Sequence, residues 1–201
     1  MSDILDSIAY HYHERTKYAP ETIAAKNKSL DWSNQPSPFK EYKIGNNFDL
    51  RPYLANQSDN LQWIRLSKLL LCSYGLTAKL ATMYGDSLYL RAAPSAGGLY
   101  PAEVYVISRN QSWLPSGLYH YQASNHSLVH FWSSEVWSEL QSACFNHPAL
   151  EETDIAIVTT AVFYRSVWRY EDRAYRRHGR RDQRPHPYRR PCRESTWHRR
   201  P

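Results

Sequence analysis

From Arg176 to Pro201 the chain contains no Ala, Val, Ile, Leu, Met or Phe. A segment of that kind cannot offset its conformational entropy by burying apolar surface, so any folded core has to come from the residues before it. The same stretch holds ten of the 25 basic side chains and two of the 19 acidic ones. The remainder has 15 basic residues against 17 acidic ones, so the net charge of +6 belongs to the tail and the body is near neutral. A body of that balance does not read as a nucleic-acid binder, and no nucleic-acid partner is expected. Residues 177–201 are expected to form a disordered basic tail. Arg, Pro and His dominate it, which is what a GC-rich coding strand tends to yield out of register. A frameshift near codon 177 in the gene of a longer protein is therefore expected, with another reading frame encoding an apolar, helix-patterned continuation.

At 201 residues and 42% hydrophobic composition the chain can bury one domain-sized core. No apolar run approaches the roughly 18 to 20 residues of a membrane span, and no membrane partner is expected. The start, Met1-Ser2-Asp3-Ile4-Leu5-Asp6, lacks the basic n-region of a secretory signal. Cys72, Cys144 and Cys192 are too widely spaced for a zinc site or a disulfide framework, and a reducing, cytoplasmic setting follows as the expectation.

Residues 2–18 read as a helix capped by Ser2 or Asp3, with Ile4, Ile8 and Tyr12 at helical spacing. The Pro- and Asn-rich stretch to residue 58 reads as an extended arm, so 1–58 forms an N-terminal helix and arm. Residues 60–84 carry a helical pattern through Leu61, Ile64, Leu69, Leu70, Cys72, Leu80 and Met83, with Gly75 dividing it into two helices. After Gly85 the period changes. Val104-Tyr105-Val106-Ile107, Leu118-Tyr119-His120-Tyr121 and Leu128-Val129-His130-Phe131 read as three strands of an antiparallel meander. Residues 134–145 look helical, capped by Ser133 or Ser134. The near-continuous apolar run at 154–162 reads as a strand buried on both faces, and a helix follows over 163–177. The order of elements makes an α+β layer fold with an antiparallel-rich central sheet, which occupies 59–176.

The chemistry-bearing stretch is Arg91-Ala92-Ala93-Pro94-Ser95-Ala96-Gly97-Gly98-Leu99-Tyr100-Pro101. Adjacent glycines let the backbone approach a planar or anionic ligand, and a run of amides can cradle an anion. A plain tight turn before a strand would show the same composition. The GxGxxG and GxxxxGK spacings are absent.

The sequence Pro94-Ser95-Ala96-Gly97-Gly98-Leu99-Tyr100-Pro101-Ala102-Glu103-Val104-Tyr105-Val106 resembles the flavin-contacting loop of nitroreductase-like enzymes, in the SagB-type dehydrogenase branch. Further stretches match in order: 69–76, the paired strands with Gly117-Leu118-Tyr119-His120-Tyr121, the helix from Phe163 to Arg176, and the arm around Tyr12 and Leu30-Asp31-Trp32-Ser33-Asn34-Gln35-Pro36. The resemblance covers the chain to about Arg176, so the domain is expected to be incomplete at its C-terminal end. It implies an FMN-dependent oxidoreductase, a homodimer when complete, with FMN held between subunits. It implies a small-molecule or peptide substrate, with two electrons passing as hydride. Pro94, Ser95, Ala96, Gly97 and Gly98 are then the expected flavin contacts. Arg91 is a candidate for the phosphate or for a solvated surface position. An inactive fragment or binding module without the complete flavin site is the alternative reading.

Two departures from the family pattern matter. Azoline-oxidising members carry a catalytic Lys-Tyr pair after the Trp of the helix motif. Here Trp168 is followed by Arg169-Tyr170. Tyr170 matches and is the expected catalytic residue, whereas Arg169 cannot deprotonate to replace a lysine base, so azoline oxidation is not expected. The Arg-x-Ser-x-Arg phosphate motif is also not evident, although Arg51 lies in the right region. No metal site is expected: His11 and His13 point to different faces of a helix, and His120 and His130 read as cross-strand partners. Trp63, Trp113, Trp132 and Trp137 read as core.

Overall fold

A computed structural model describes residues 7–21, 29–55, 59–83, 87–109 and 111–179. The expected caps Ser2 and Asp3 and the glycine at 85 lie outside the described residues, as does the expected disordered tail of 177–201 from 180 on, while its residues 177–179 stand in a helix. The described chain groups into two compact units, one of residues up to Pro36 with those from Phe163 on, and one of Ser37–Val162.

In the first unit, α1 spans Ile8–Thr16 and is capped by Ser7, whose side chain accepts the Tyr10 amide. The described helix thus starts later than its apolar spacing suggested, and Ile8 is exposed. Asp31 caps a short turn at Trp32–Asn34 by accepting from the Ser33 amide and the Asn34 side chain. The expected helix over 163–177 is broken in two. Helix α5 (Phe163–Tyr170) and α6 (Ala174–Gly179) flank a 3-10 turn at Glu171–Arg173, where Glu171 adopts φ 47°. Arg176 ties α6 to α1, donating to Thr16 Oγ1 at 2.6 Å and to the His13 carbonyl at 2.9 Å.

The larger unit is built on a five-stranded antiparallel sheet in the order β1-β6-β5-β4-β7. Its strands are β1 Asn46–Asp49, β4 Ala102–Ser108, β5 Gly117–Gln122, β6 Ser127–Trp132 and β7 Ile155–Ala161. The β4-β5-β6 meander stands as the sequence indicated. The short strand β1, within the arm, was not foreseen; it pairs with β6 through Phe48 and Leu128. A short helix α2 (Arg51–Leu54) follows it.

Helix α3 (Leu61–Tyr74) covers one face of the sheet. Asn60 caps it by accepting the Trp63 amide, and Trp63, Leu66, Ser67 and Leu70 are buried at i, i+3, i+4 and i+7. They pack with Val104, Val106, Tyr119, Tyr121 and Leu128, and each large apolar side chain so buried stabilises the fold by roughly 2 kcal/mol. Trp63 also stacks on Tyr53 at 5.4 Å and meets Trp113 edge-on at 5.2 Å. Trp137, which begins helix α4 (Trp137–Ala143), is buried, but Trp132 at the end of β6 is 54% exposed and is not core. No serine caps α4; the Glu135 carboxylate accepts the Trp137 amide instead.

Gly75 ends α3, its amide donating to the carbonyls of Leu70 and Leu71. A Cβ there would sit 2.6 Å from the Leu71 Cα, so no larger residue fits. The chain beyond it is not the second helix its leucine spacing suggested. It forms a hairpin of β2 (Leu76–Ala81) and β3 (Ser87–Arg91). Alternation in Leu76-Thr77-Ala78-Lys79-Leu80 fits a strand as well as a helix, and pairing with β3 decides it.

The strand at 154–162 is also placed differently from the expectation. β7 pairs with β4 only and is an edge of the sheet among the described residues, with Ile157 41% exposed. The strand buried on both faces is β4, of which only Ala102 is less than fully buried. Its inward polar atoms are satisfied: Glu103 meets His120 Nε2 at 3.0 Å, and the Tyr105 hydroxyl accepts from Lys40 at 2.8 Å. Residues of the arm lie over this second face, where Tyr42 stacks on Phe131 and its carbonyl accepts from Gln122. His120 and His130 are not cross-strand partners. Tyr119 pairs with His130 and His120 with Val129, one register step apart, so the two imidazoles leave opposite faces.

The buried His126 links the β5–β6 turn to α3. Its Nε2 lies 2.8 Å from Ser67 Oγ and its Nδ1 2.7 Å from the Tyr121 hydroxyl. Ser67 has one hydroxyl proton and gives it to the Leu50 carbonyl. The Nε2 therefore carries the proton donated to Ser67, and Nδ1 accepts from Tyr121. A neutral imidazole satisfies every group. Burial pushes its pKa down to about 4 from 6.5, against the pull of Asp49. Between those values the unfolded chain binds a proton that the native chain does not, so stability is full above pH 6.5 and falls with pH through this window, by roughly 3 kcal/mol. Asp31 and Asp49 are held below their ordinary range by hydrogen bonds, so their losses come at lower pH. Urea midpoints measured from pH 7.5 to 4 should show this fall, and His126→Asn should lower stability at pH 7 yet flatten the slope. An unchanged slope in the variant would remove His126 as its source.

Candidate functional site

The glycine loop runs from the end of β3 into the start of β4, so both of its ends are fixed by sheet pairing. The Ala92 amide donates to the Gly75 carbonyl at 2.9 Å, which ties the start of the loop to the end of α3. At the other end the Pro101 carbonyl accepts the Val162 amide at 2.7 Å. Between them the backbone turns through the left-handed region three times: Gly97 has φ 65°, Gly98 φ 66° and Tyr100 φ 43°. Glycine takes that conformation at no steric cost; a tyrosine does so at roughly 1 kcal/mol.

Ser95 holds the turn from inside. Its hydroxyl oxygen accepts the Tyr100 amide at 2.7 Å, and its carbonyl accepts the Gly98 amide at 3.3 Å. Leu99 and Tyr100 are buried and anchor the loop, while Pro94 and Gly97 are exposed. A Cβ built on Gly98 would have no atom within 4 Å. The loop therefore presents a bare stretch of backbone toward open space from an anchored base. Its residues suit the edge of a planar ring. The Tyr100 hydroxyl accepts the Arg91 amide at 3.1 Å.

Arg91 is drawn inward. Its Nη2 donates to the Pro38 carbonyl at 2.5 Å, and its guanidinium lies 4.8 Å from the Phe39 ring centre and 5.1 Å from that of Tyr100. The sequence reading did not identify Tyr100 and Phe39 as part of this arrangement. Tyr100 directly follows Gly98-Leu99 and could have been noticed as the non-glycine residue that ends the turn. Phe39 has no comparable signal, since it lies 52 positions from Arg91 in the sequence.

Arg91, Pro94, Ser95, Ala96, Gly97 and Gly98 all fall on this one loop and its entry strand. Tyr170 belongs to the other unit, where it is the last residue of α5. Its neighbours there are fixed: Trp168 Nε1 donates to the Asp31 carbonyl at 3.2 Å, Trp168 meets Trp32 edge-on at 5.6 Å, and the Arg169 guanidinium lies 5.9 Å from the Trp32 ring. Arg51, weighed for phosphate binding, grips Asp49 through two nitrogens at 2.7 to 3.1 Å. Among the described residues no group of three or more His, Cys, Asp or Glu is placed to hold a metal.

No family model matches the chain. A curated protein of Methanocaldococcus jannaschii, provisionally named a nitroreductase, is 32% identical over 111 residues, 55% of this chain and 52% of that one. A solved structure from Anabaena variabilis, also provisionally named a nitroreductase, is 66% identical with a TM-score of 0.79, over 85% of this chain and 35% of that one. A looser likeness, 16% identical with a TM-score of 0.45 over 86% of this chain and 67% of that one, is to a chain of the E. coli microcin synthetase complex. The chain thus spans about half the length of the curated relative and about a third of the solved one.

Ser95→Ala removes the acceptor for the Tyr100 amide, and the loss of that bond should cost about 1 kcal/mol in urea unfolding. The Tyr100 amide should exchange with solvent faster in the variant. Equal exchange would mean that the serine does not hold the turn.

Proposed function

We propose that this chain, similar over part of its length to two proteins provisionally named nitroreductases, belongs to the nitroreductase-like superfamily and carries the ring-facing part of the site of an FMN-dependent oxidoreductase of the SagB type. When bound, the flavin supplies two-electron chemistry, accepting hydride and passing it on. The observation that supports the reading is the open space over Gly98, on a turn that two glycines and a pinned tyrosine hold in left-handed backbone. Residues 95–98 lie against the flavin edge, and Pro94 borders it. No side chain on Gly97 or Gly98 keeps the ring away. Leu99 and Tyr100 take no part in contact and serve as the anchor.

Tyr170 is proposed to face the substrate, a small molecule or peptide, and to hold or release a proton through its phenol. Arg169 beside it carries a guanidinium, which orients by charge and does not act as a base. The relatives' further length would carry other flavin contacts, and the complete protein would act as a homodimer in the cytoplasm. No helix among the described residues is long and apolar enough to cross a membrane.

A second reading, a fragment or binding module that lacks a complete flavin site, is favoured by the share of its relatives that the chain spans. Titration with FMN, followed by flavin fluorescence, separates the two. Binding by the chain, with affinity reduced about tenfold or more in Gly97→Val and in Gly97→Asn, is the expected result. Asn tolerates a positive φ, so its loss reports blockage and not strain. Unchanged binding in both variants would remove the loop from the site, and a chain that binds no FMN would establish the second reading.

A further inference from the structure

Arg91 is the one cation on the glycine loop's entry strand next to the turn, which makes it the obvious partner for a flavin phosphate. Its surroundings point elsewhere. The side chain leaves the last residue of β3 and runs between two aromatic rings, Phe39 and Tyr100, with Nη2 on the Pro38 carbonyl at 2.5 Å. The backbone amide of the same residue donates to the Tyr100 hydroxyl at 3.1 Å. Arg91 therefore holds Tyr100 twice, once by its amide at the hydroxyl and once by its guanidinium against the ring.

Tyr100 is the residue that most needs holding. It has φ 43° with a full side chain, and its amide must stay on Ser95 Oγ for the turn over Gly97 and Gly98 to persist. A left-handed tyrosine relaxes to extended backbone unless its surroundings over-determine it. Tyr100 is 7% exposed, so its burial and the guanidinium over its ring supply that determination. The guanidinium is thus already engaged by two ring faces and a backbone carbonyl.

We infer that Arg91 is a positioning residue that, with Phe39, clamps Tyr100 and so fixes the backbone of residues 95–98, and that it is not the contact for the flavin phosphate. The flavin half of this statement rests on the function proposed above; the clamp does not.

Two measurements on Arg91→Met, Arg91→Lys and Tyr100→Phe test it. The first is amide hydrogen exchange of residues 95–100 without any ligand. The clamp predicts exchange about tenfold faster in both Arg91 variants, because an ammonium cannot lie flat between two rings while its donor reaches Pro38, and about threefold faster in Tyr100→Phe. Unchanged exchange in Arg91→Lys, the mildest change, would overturn the clamp. The second compares affinity for FMN with that for riboflavin, which lacks the phosphate. A positioning role lowers both by the same factor and leaves their ratio within about twofold. Loss confined to FMN, or FMN binding retained in Arg91→Lys but lost in Arg91→Met, would make Arg91 the phosphate contact and overturn the inference. If the unaltered chain binds neither flavin, the proposed function fails while the exchange measurement still decides the clamp.

Discussion

The larger unit depends on β4 being buried on both faces. A strand in that position must find partners for every polar group it carries inward, or lose several kcal/mol per orphaned charge. β4 carries two such groups, Glu103 and Tyr105, on the face away from α3. Glu103 is answered by His120 from the neighbouring strand, and Tyr105 by Lys40 and Tyr42 from the arm. Burial pushes the Tyr105 phenol up, so it stays a neutral hydroxyl that can accept from the ammonium. The arm is thus part of the fold's polar accounting, and the segment that supplies Lys40 and Tyr42 also supplies Pro38 and Phe39 to Arg91. One stretch of irregular chain completes both the sheet's second face and the support of the glycine loop.

This explains which parts of the structure could be read from the sequence. Helix α3 was legible from the helical spacing of Leu61, Ile64, Leu69, Leu70 and Cys72, but Leu61, Leu69 and Cys72 are exposed, and the face it buries is Trp63, Leu66, Ser67 and Leu70 behind the Asn60 cap. The meander was legible because turn residues separate three runs of alternating character. The placements of β2 and β7 went astray for one cause: local pattern is degenerate where long-range pairing decides. Leu76 to Met83 has leucines at helical spacing and also alternates, and only β3 on the far side of a turn settles it. β7 reads as buried because it is apolar throughout, while the double burial of β4 does not show in its residues because its polar groups, Glu103 and Tyr105, are satisfied by partners 17 and 65 positions away. Residue type reports burial only when the partners are not counted separately.

The site shows the same division. The two glycines announce a turn that needs positive φ, and both have it. What a single residue cannot announce is what keeps the turn from relaxing. Ser95 accepting an amide five residues ahead lies within reach of pattern reading, whereas a guanidinium held between Phe39 and Tyr100 does not.

A backbone surface meant to meet a flat ligand faces opposing demands. It needs small residues at the crest so that the ligand can approach, and small residues give the turn nothing to pack. The loop resolves this by separating the roles along the chain. Gly97 and Gly98 leave the crest bare, while the next two residues are large and buried and take up the packing. The unfavourable backbone conformation is moved onto Tyr100, where side-chain contacts can hold it. Every support so far identified, Gly75, Arg91, Phe39, Ser95 and Val162, lies within residues 37–162. The geometry of the crest is therefore set inside one compact unit of the chain. This stretch of backbone is preorganised by contacts the unit makes with itself, and a ligand arriving there need not spend binding free energy on ordering the turn.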